Sequence, residues 1–141
     1  PGHHKHTYYL IKNGDLRGFH PAEIEVLANV ARYHRRGHPK RKHPGFGALP
    51  KPSRRAVSVL AGLLRVADAL DRSHKQPVRR LTVSERGDAL RIQVEARGDC
   101  ELELWGVAGR MALLEETLGV HARVEAVSGA QSGPRRALLR A

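Results

Sequence analysis

Apolar residues recur at helical spacing from Val57 to His74, VSVLAGLLRVADALDRSH, placing Val57, Leu60, Ala61, Leu64, Ala67, Asp68 and Asp71 on one face. Ser53, just after Pro52, suits the N-cap of this helix, and Pro77 stops any continuation beyond His74. A carboxylate on a core stripe costs free energy unless a cation or a hydrogen-bond donor meets it. Asp68 therefore demands a partner, and Arg32, His34 and Arg65 are the expected ones. Two shorter helices precede it. Pro21 to His34 has Pro at the first helical position, Glu23 in the first turn, and a stripe of Ile24, Leu27, Ala28, Ala31 and His34. The first helix carries His3, Thr7, Leu10 and Ile11 and ends at the turn Asn13-Gly14-Asp15.

Each helix thus brings one metal-ligand type of side chain to its inward face: His3, His34 and Asp68. Taken singly, each reads as a satisfied polar residue; their joint occurrence raises a shared site as an alternative. Between the second and third helices, Gly37 to Pro52 is long for a loop in a small domain, and loops of that length are usually functional or mobile. It is expected to rim a cleft above the helices.

After Pro77 the period drops to two. Val78–Glu85 and Ala89–Glu95 alternate Leu81 and Val83 with Leu90, Ile92 and Val94 around Arg86-Gly87-Asp88, the pattern of a β-hairpin. One helix is predicted from Glu103 to Leu118, with Leu104, Ala108, Met111, Leu114 and Leu118 inward and Gly119 as its stop. A last strand covers Ala122 to Val127. The fold class is α+β: a helical unit over 1–76 with the basic loop 37–52, a β-β-α-β unit over 77–127, and a flexible tail over 128–141.

Charge changes the picture more than length does. The 141 residues carry a formal charge of +11, and no acidic residue occurs between Glu25 and Asp68. Such a field concentrates polyanions at the surface. Arg32, Arg35, Arg36, Arg54 and Arg55 offer guanidinium forks that match phosphate oxygens, and Lys40, Arg41 and Lys42 add charges from the loop. Aromatic residues are not interleaved with these cations and no helix reads as a groove-reader, so nucleic acid is not the expected partner. The single Cys100 excludes an internal disulfide and fits a reducing cytoplasm, and no apolar run approaches a membrane span. There is no CxxC, no Gly-rich nucleotide loop and no Ser-His-Asp set with supporting context.

Several ordered motifs resemble one family. His3-His4-Lys5-His6-Thr7-Tyr8-Tyr9-Leu10-Ile11, Asn13-Gly14-Asp15, Gly18-Phe19, Arg32-Tyr33-His34-Arg35 and Leu64-Arg65-Val66-Ala67-Asp68-Ala69-Leu70-Asp71-Arg72-Ser73-His74 are similar to the C-terminal region of exopolyphosphatase/guanosine pentaphosphate phosphatases. That region resembles an HD-type phosphohydrolase domain. The resemblance implies that Asp68 stands at the late metal-binding Asp and that His3 and His34 stand at auxiliary positions. A site of this type takes Mn, Fe, Zn or, less readily, Mg. The first His and the His-Asp dyad of the pattern would lie upstream of Pro1. A chain opening on Pro rather than Met reads as a piece of a longer protein whose actin-like N-terminal domains carry catalysis. The resemblance implies a homodimer that holds polyphosphate or guanosine pentaphosphate for those domains, with no catalytic residue in this piece. The alternatives are a residual metal-dependent HD-type phosphohydrolase and a purely structural dimerisation module.

Overall fold

A computed structural model describes residues 3–35 and 37–127, leaving the side chains of residues 3–5 outside that description. The expected tail 128–141 therefore lies outside the described residues. The elements in chain order are α1 (His3–Asn13), α2 (Pro21–Tyr33), α3 (Pro44–Gly47), α4 (Lys51–Leu70), β1 (Val78–Arg86), β2 (Ala89–Ala96), α5 (Glu101–Ala108), α6 (Ala112–Leu118) and β3 (His121–Ala126). The fold is α+β, helices first and a small sheet after, as the periodicities predict.

Helix α4 serves two apolar clusters at once. Its first half places Val57 and Ala61 against Tyr33, Phe46, Leu49 and Leu113. Its second half places Val66, Ala69 and Leu70 against Ile92, Val94, Val107, Met111 and Leu114. Val57, Val94 and Val107 are completely buried, and each such side chain contributes about 1.5–3 kcal/mol by leaving water.

The inward face of α4 differs from the expected stripe. Val57 and Ala61 are on it, but it continues through Gly62, Arg65, Val66, Ala69 and Leu70. Leu60 and Leu64 stay 43% and 42% exposed, and Ala67 and Asp68 face outward with them. The reason is that α4 is gripped from two sides, by α2 and by α5 with α6. The buried arc spans the gap between those neighbours, and the leucines fall on the other side.

Three further boundaries depart from expectation. The long loop contains the single-turn helix α3, and α4 starts at Lys51 with Pro50 as N-cap and Pro52 in its first turn, ahead of the expected Ser53 cap. The helix ends at Leu70, and a turn over 71–73 precedes the strand. The helix predicted over Glu103–Leu118 is two helices. Its chain bends at Gly109, whose N–H reaches the Trp105 carbonyl while the Arg110 N–H reaches that of Val107. The bend lays Leu113 and Leu114 onto α4. Close approach depends on Gly62, where a Cβ would stand 3.1 Å from both Cα and Cβ of Leu114.

The sheet order is β1-β2-β3. Strands β1 and β2 form the predicted antiparallel hairpin, with Leu81 opposite Val94 and Val83 opposite Ile92, closed by Gly87 at φ +62. Strand β3 returns through α5 and α6 to lie parallel to β2, with Val124 opposite Ile92. The helices cover the inner face of β2 and pack on Ala122 and Val124 of β3. They stop short of β1, so Leu81 and Val83 share the core-facing side yet remain 44% and 58% exposed. No helix among the described residues is long and apolar enough to cross a membrane.

Candidate functional site

The acid-free segment forms a frame around Tyr33, the last residue of α2. Its buried ring stacks on His43 at 5.7 Å and meets Phe46 edge-on at 5.8 Å. The His43 Nδ1 lies 2.8 Å from the Tyr33 hydroxyl and 3.2 Å from the Lys40 backbone N–H. A backbone N–H can only donate, so Nδ1 is the acceptor of both and the Tyr33 hydroxyl donates. The His43 backbone N–H in turn reaches the Lys40 carbonyl at 2.8 Å, which closes the turn Lys40-Arg41-Lys42-His43. The side chains of Lys40, Arg41 and Lys42 project from that turn into water. Gly47 backs it: a Cβ there would collide with the Arg41 carbonyl.

Helix α4 supports this frame with arginines aimed at the C-terminal ends of other helices. Arg65 is 5% exposed and donates to the carbonyls of Tyr33, at 2.9 and 2.7 Å, and Gly37, at 2.6 Å. Burial, and secondarily the charge of Arg110, lower its pKa, although a guanidinium stays protonated at any ordinary pH. Arg54 donates to the carbonyls of Gly47 and Leu49 behind α3, and Arg55 reaches Thr117 in the last turn of α6 at 3.3 Å. A cation at a helix C-terminus meets both unpaired carbonyls and the negative end of the dipole. Arg54 and Arg55, expected from the sequence to meet phosphate, each have a carbonyl partner first.

Arg32 stands 5.6 Å from the ring centroids of both Tyr8 and Tyr33. Lys12 lies 5.9 Å from the Tyr8 ring centroid and pairs with Glu25 at 2.9 Å, a contact that raises the lysine's pKa. Tyr8, Lys12, Glu25, Arg32, Gly45 and Leu49 help line a cavity of about 700 Å3 between α1, α2 and α3. Arg35 is exposed just past α2, and Arg36 lies outside the described residues.

The candidate metal ligands have other occupations. His34 Nδ1 is 2.6 Å from the Ala31 carbonyl, so it carries a proton and donates. Asp68 is met by none of the three expected cations. Its partner is Arg110 at 2.5 Å, delivered by the bend between α5 and α6. The signal for that pairing was Gly109, which breaks the helix where Arg110 must turn. The His3 side chain lies outside the described residues. No cluster of three metal-ligating side chains is assembled among the described residues.

A family model described as Ppx/GppA phosphatase, domain III, matches residues 1–106, three-quarters of the chain. The chain belongs to the Ppx/GppA phosphatase family. The match covers every helix from α1 to α4, the hairpin and most of α5, so the Tyr33 frame lies wholly within this Ppx/GppA region. No curated protein matches the chain.

Proposed function

We propose that this Ppx/GppA region holds a phosphate polymer for hydrolysis by catalytic domains elsewhere in a cytoplasmic protein. Guanosine pentaphosphate is the second ligand of the same chemistry. The observation that carries the reading is the ordered turn Lys40-Arg41-Lys42, fixed by His43 and Tyr33 within a segment that has no acidic residue from Val26 to Ala67. Three cations on a closed turn lose less backbone entropy when a polyanion binds than the same charges on a loose loop. Arg35 and the exposed side of Arg55 extend the field, and Arg32 adds a guanidinium beside the α1–α2–α3 cavity. The metal candidates His3, His34 and Asp68 take no part in this reading.

The test is polyphosphate binding by the purified chain across a range of salt concentrations. Neutralised phosphates release counterions, so affinity is expected to fall linearly on a log–log plot of binding against salt. Replacing Lys40, Arg41 and Lys42 together by Ala is expected to weaken binding at low salt by at least tenfold and to flatten that slope. Binding that is absent, or unchanged in the triple variant, overturns the proposal.

A further inference from the structure

Four arginines among the described residues are half-buried or buried: Arg32, Arg54, Arg65 and Arg110. Three of them have oxygen acceptors. Arg54 and Arg65 meet backbone carbonyls, and Arg110 meets the Asp68 carboxylate. Arg32 has none: its guanidinium makes no hydrogen bond and no ion pair with a described residue. Its place is nevertheless fixed, because the guanidinium carbon lies 5.6 Å from the ring centroids of both Tyr8 and Tyr33. Ring faces attract the charge but give its five N–H groups no oxygen. A partly desolvated cation with unmet donors costs free energy, which an anion at that place would offset.

Arg32 lines the cavity of about 700 Å3 between α1, α2 and α3, whose walls are held by contacts of their own. Asn29 Nδ2 donates to the Glu25 carbonyl at 2.9 Å and reaches the Gly45 carbonyl at 3.5 Å, tying α3 to α2. Lys12 of α1 pairs with Glu25 of α2 at 2.9 Å. Gly45 leaves room for the Tyr8 hydroxyl, since a Cβ there would stand 2.6 Å from it. The site is therefore built before anything binds.

The donor set says what would enter. A guanidinium fork matches two oxygens of one anionic group. Glu25 is the carboxylate on the cavity wall and already engages Lys12, so Arg32 is the cation left over. That suits a single phosphate group rather than a run of them. We propose that this cavity takes one terminal phosphate group, from the end of a linear chain or as the free ion, with Arg32 as its fork. A terminal group presents three free oxygens and about −1.5 to −2 charge at neutral pH, more on both counts than a group inside a chain. Tyr33 joins this pocket to the basic turn, for its ring lies beside Arg32 and stacks on His43, which fixes Lys40. The inference rests on the polyanion-holding reading and adds to it: the turn meets charge along a chain, and the cavity takes an end.

The experiment titrates the full chain with linear tripolyphosphate, inorganic phosphate and cyclic hexametaphosphate at fixed pH and ionic strength. The cyclic probe carries more charge than tripolyphosphate and has no terminal group. The wild type is expected to prefer tripolyphosphate despite its lower charge. Arg32→Lys keeps the charge and loses the fork, and circular dichroism checks that its fold is intact. It is expected to weaken tripolyphosphate at least fivefold and to leave the cyclic probe unchanged. Replacing Lys40, Arg41 and Lys42 together by Ala is expected to weaken both probes. Inorganic phosphate that competes as strongly as tripolyphosphate supports the pocket and assigns it to the free ion; weaker competition, lost in Arg32→Lys, supports it and assigns it to chain ends. A wild type without preference for the linear probe overturns the proposal. So does an Arg32→Lys variant that binds tripolyphosphate normally or weakens both probes alike. In those cases a triple Ala variant that still loses the cyclic probe spares the basic turn, whereas a chain that binds no probe overturns both readings.

Discussion

Two nitrogens of Arg65, Nε and Nη2, donate to the single carbonyl oxygen of Tyr33, at 2.9 and 2.7 Å. The same guanidinium holds Gly37, so one buried cation joins the end of α2 to the start of the basic loop. These partners are neutral carbonyls, and truncating the arginine strands them in the interior. Arg65→Met is expected to cost about 3 kcal/mol and Arg65→Lys, which keeps charge but loses the fork, about 2 kcal/mol. Denaturant midpoints at constant slope check both.

Tyr33→Phe keeps the ring against His43 and Phe46 and removes only the hydroxyl that donates to His43 Nδ1. The expected loss is about 1 kcal/mol of stability. The more telling readout is local: amide exchange at Lys40, whose N–H shares that acceptor, is expected to accelerate more than exchange in α4.

Gly62→Ala pits two effects against each other. Alanine in a helix interior gains about 1 kcal/mol over glycine. The added methyl, however, would sit 3.1–3.2 Å from the Leu114 N, Cα and Cβ, and α6 is pinned there by buried Leu113 and Leu114. Overpacking costs about 1–3 kcal/mol, so net destabilisation is expected despite the better helix former. A melting temperature above wild type would show that α6 can slide.

Glu103 is 2% exposed, and its hydrogen bonding with Ser73, whose backbone N–H its carboxylate accepts at 3.0 Å, holds its pKa below the ordinary carboxylate range. A depressed folded pKa stabilises the native state above the unfolded value, about 4.3, and that stabilisation is lost as pH falls through the folded value. Between the two the unfolded chain binds more protons, so stability rises with pH. Glu103→Gln is expected to be destabilised by a constant margin at neutral pH, with the margin narrowing below about pH 4. Denaturation series across that range measure the gap directly.

The hairpin was legible because alternation survives in both strands, but the turn is Gly87-Asp88 alone: Arg86 belongs to β1 opposite Ala89, which moves the register by one residue and sets Leu81 opposite Val94. The rotation of α4 was not legible. Leu60, Leu63 and Leu64 are as apolar as Val57 and Val66, and periodicity alone cannot say which arc two neighbouring helices will grip. Arg65 lies four residues after Ala61 and eight after Val57, so its place on the inward row was readable, but a guanidinium there runs against composition until its carbonyl partners are known. Lys40, Arg41 and Lys42 were legible as a cluster of charge. That His43 and Tyr33 fasten them into a turn depends on a contact ten residues apart, which spacing does not encode.

The sharing of α4 between both apolar clusters has a consequence for how the molecule comes apart. Neither cluster can lose its order without stripping one half of a single continuous helix, so the two melt as one cooperative unit. A chain cut after Gln76 would leave Val66, Ala69 and Leu70 facing water, with the exposed side of α4 already apolar. Such a fragment is expected to aggregate or stay partly unfolded. Calorimetric and van't Hoff enthalpies of the intact chain are expected to agree.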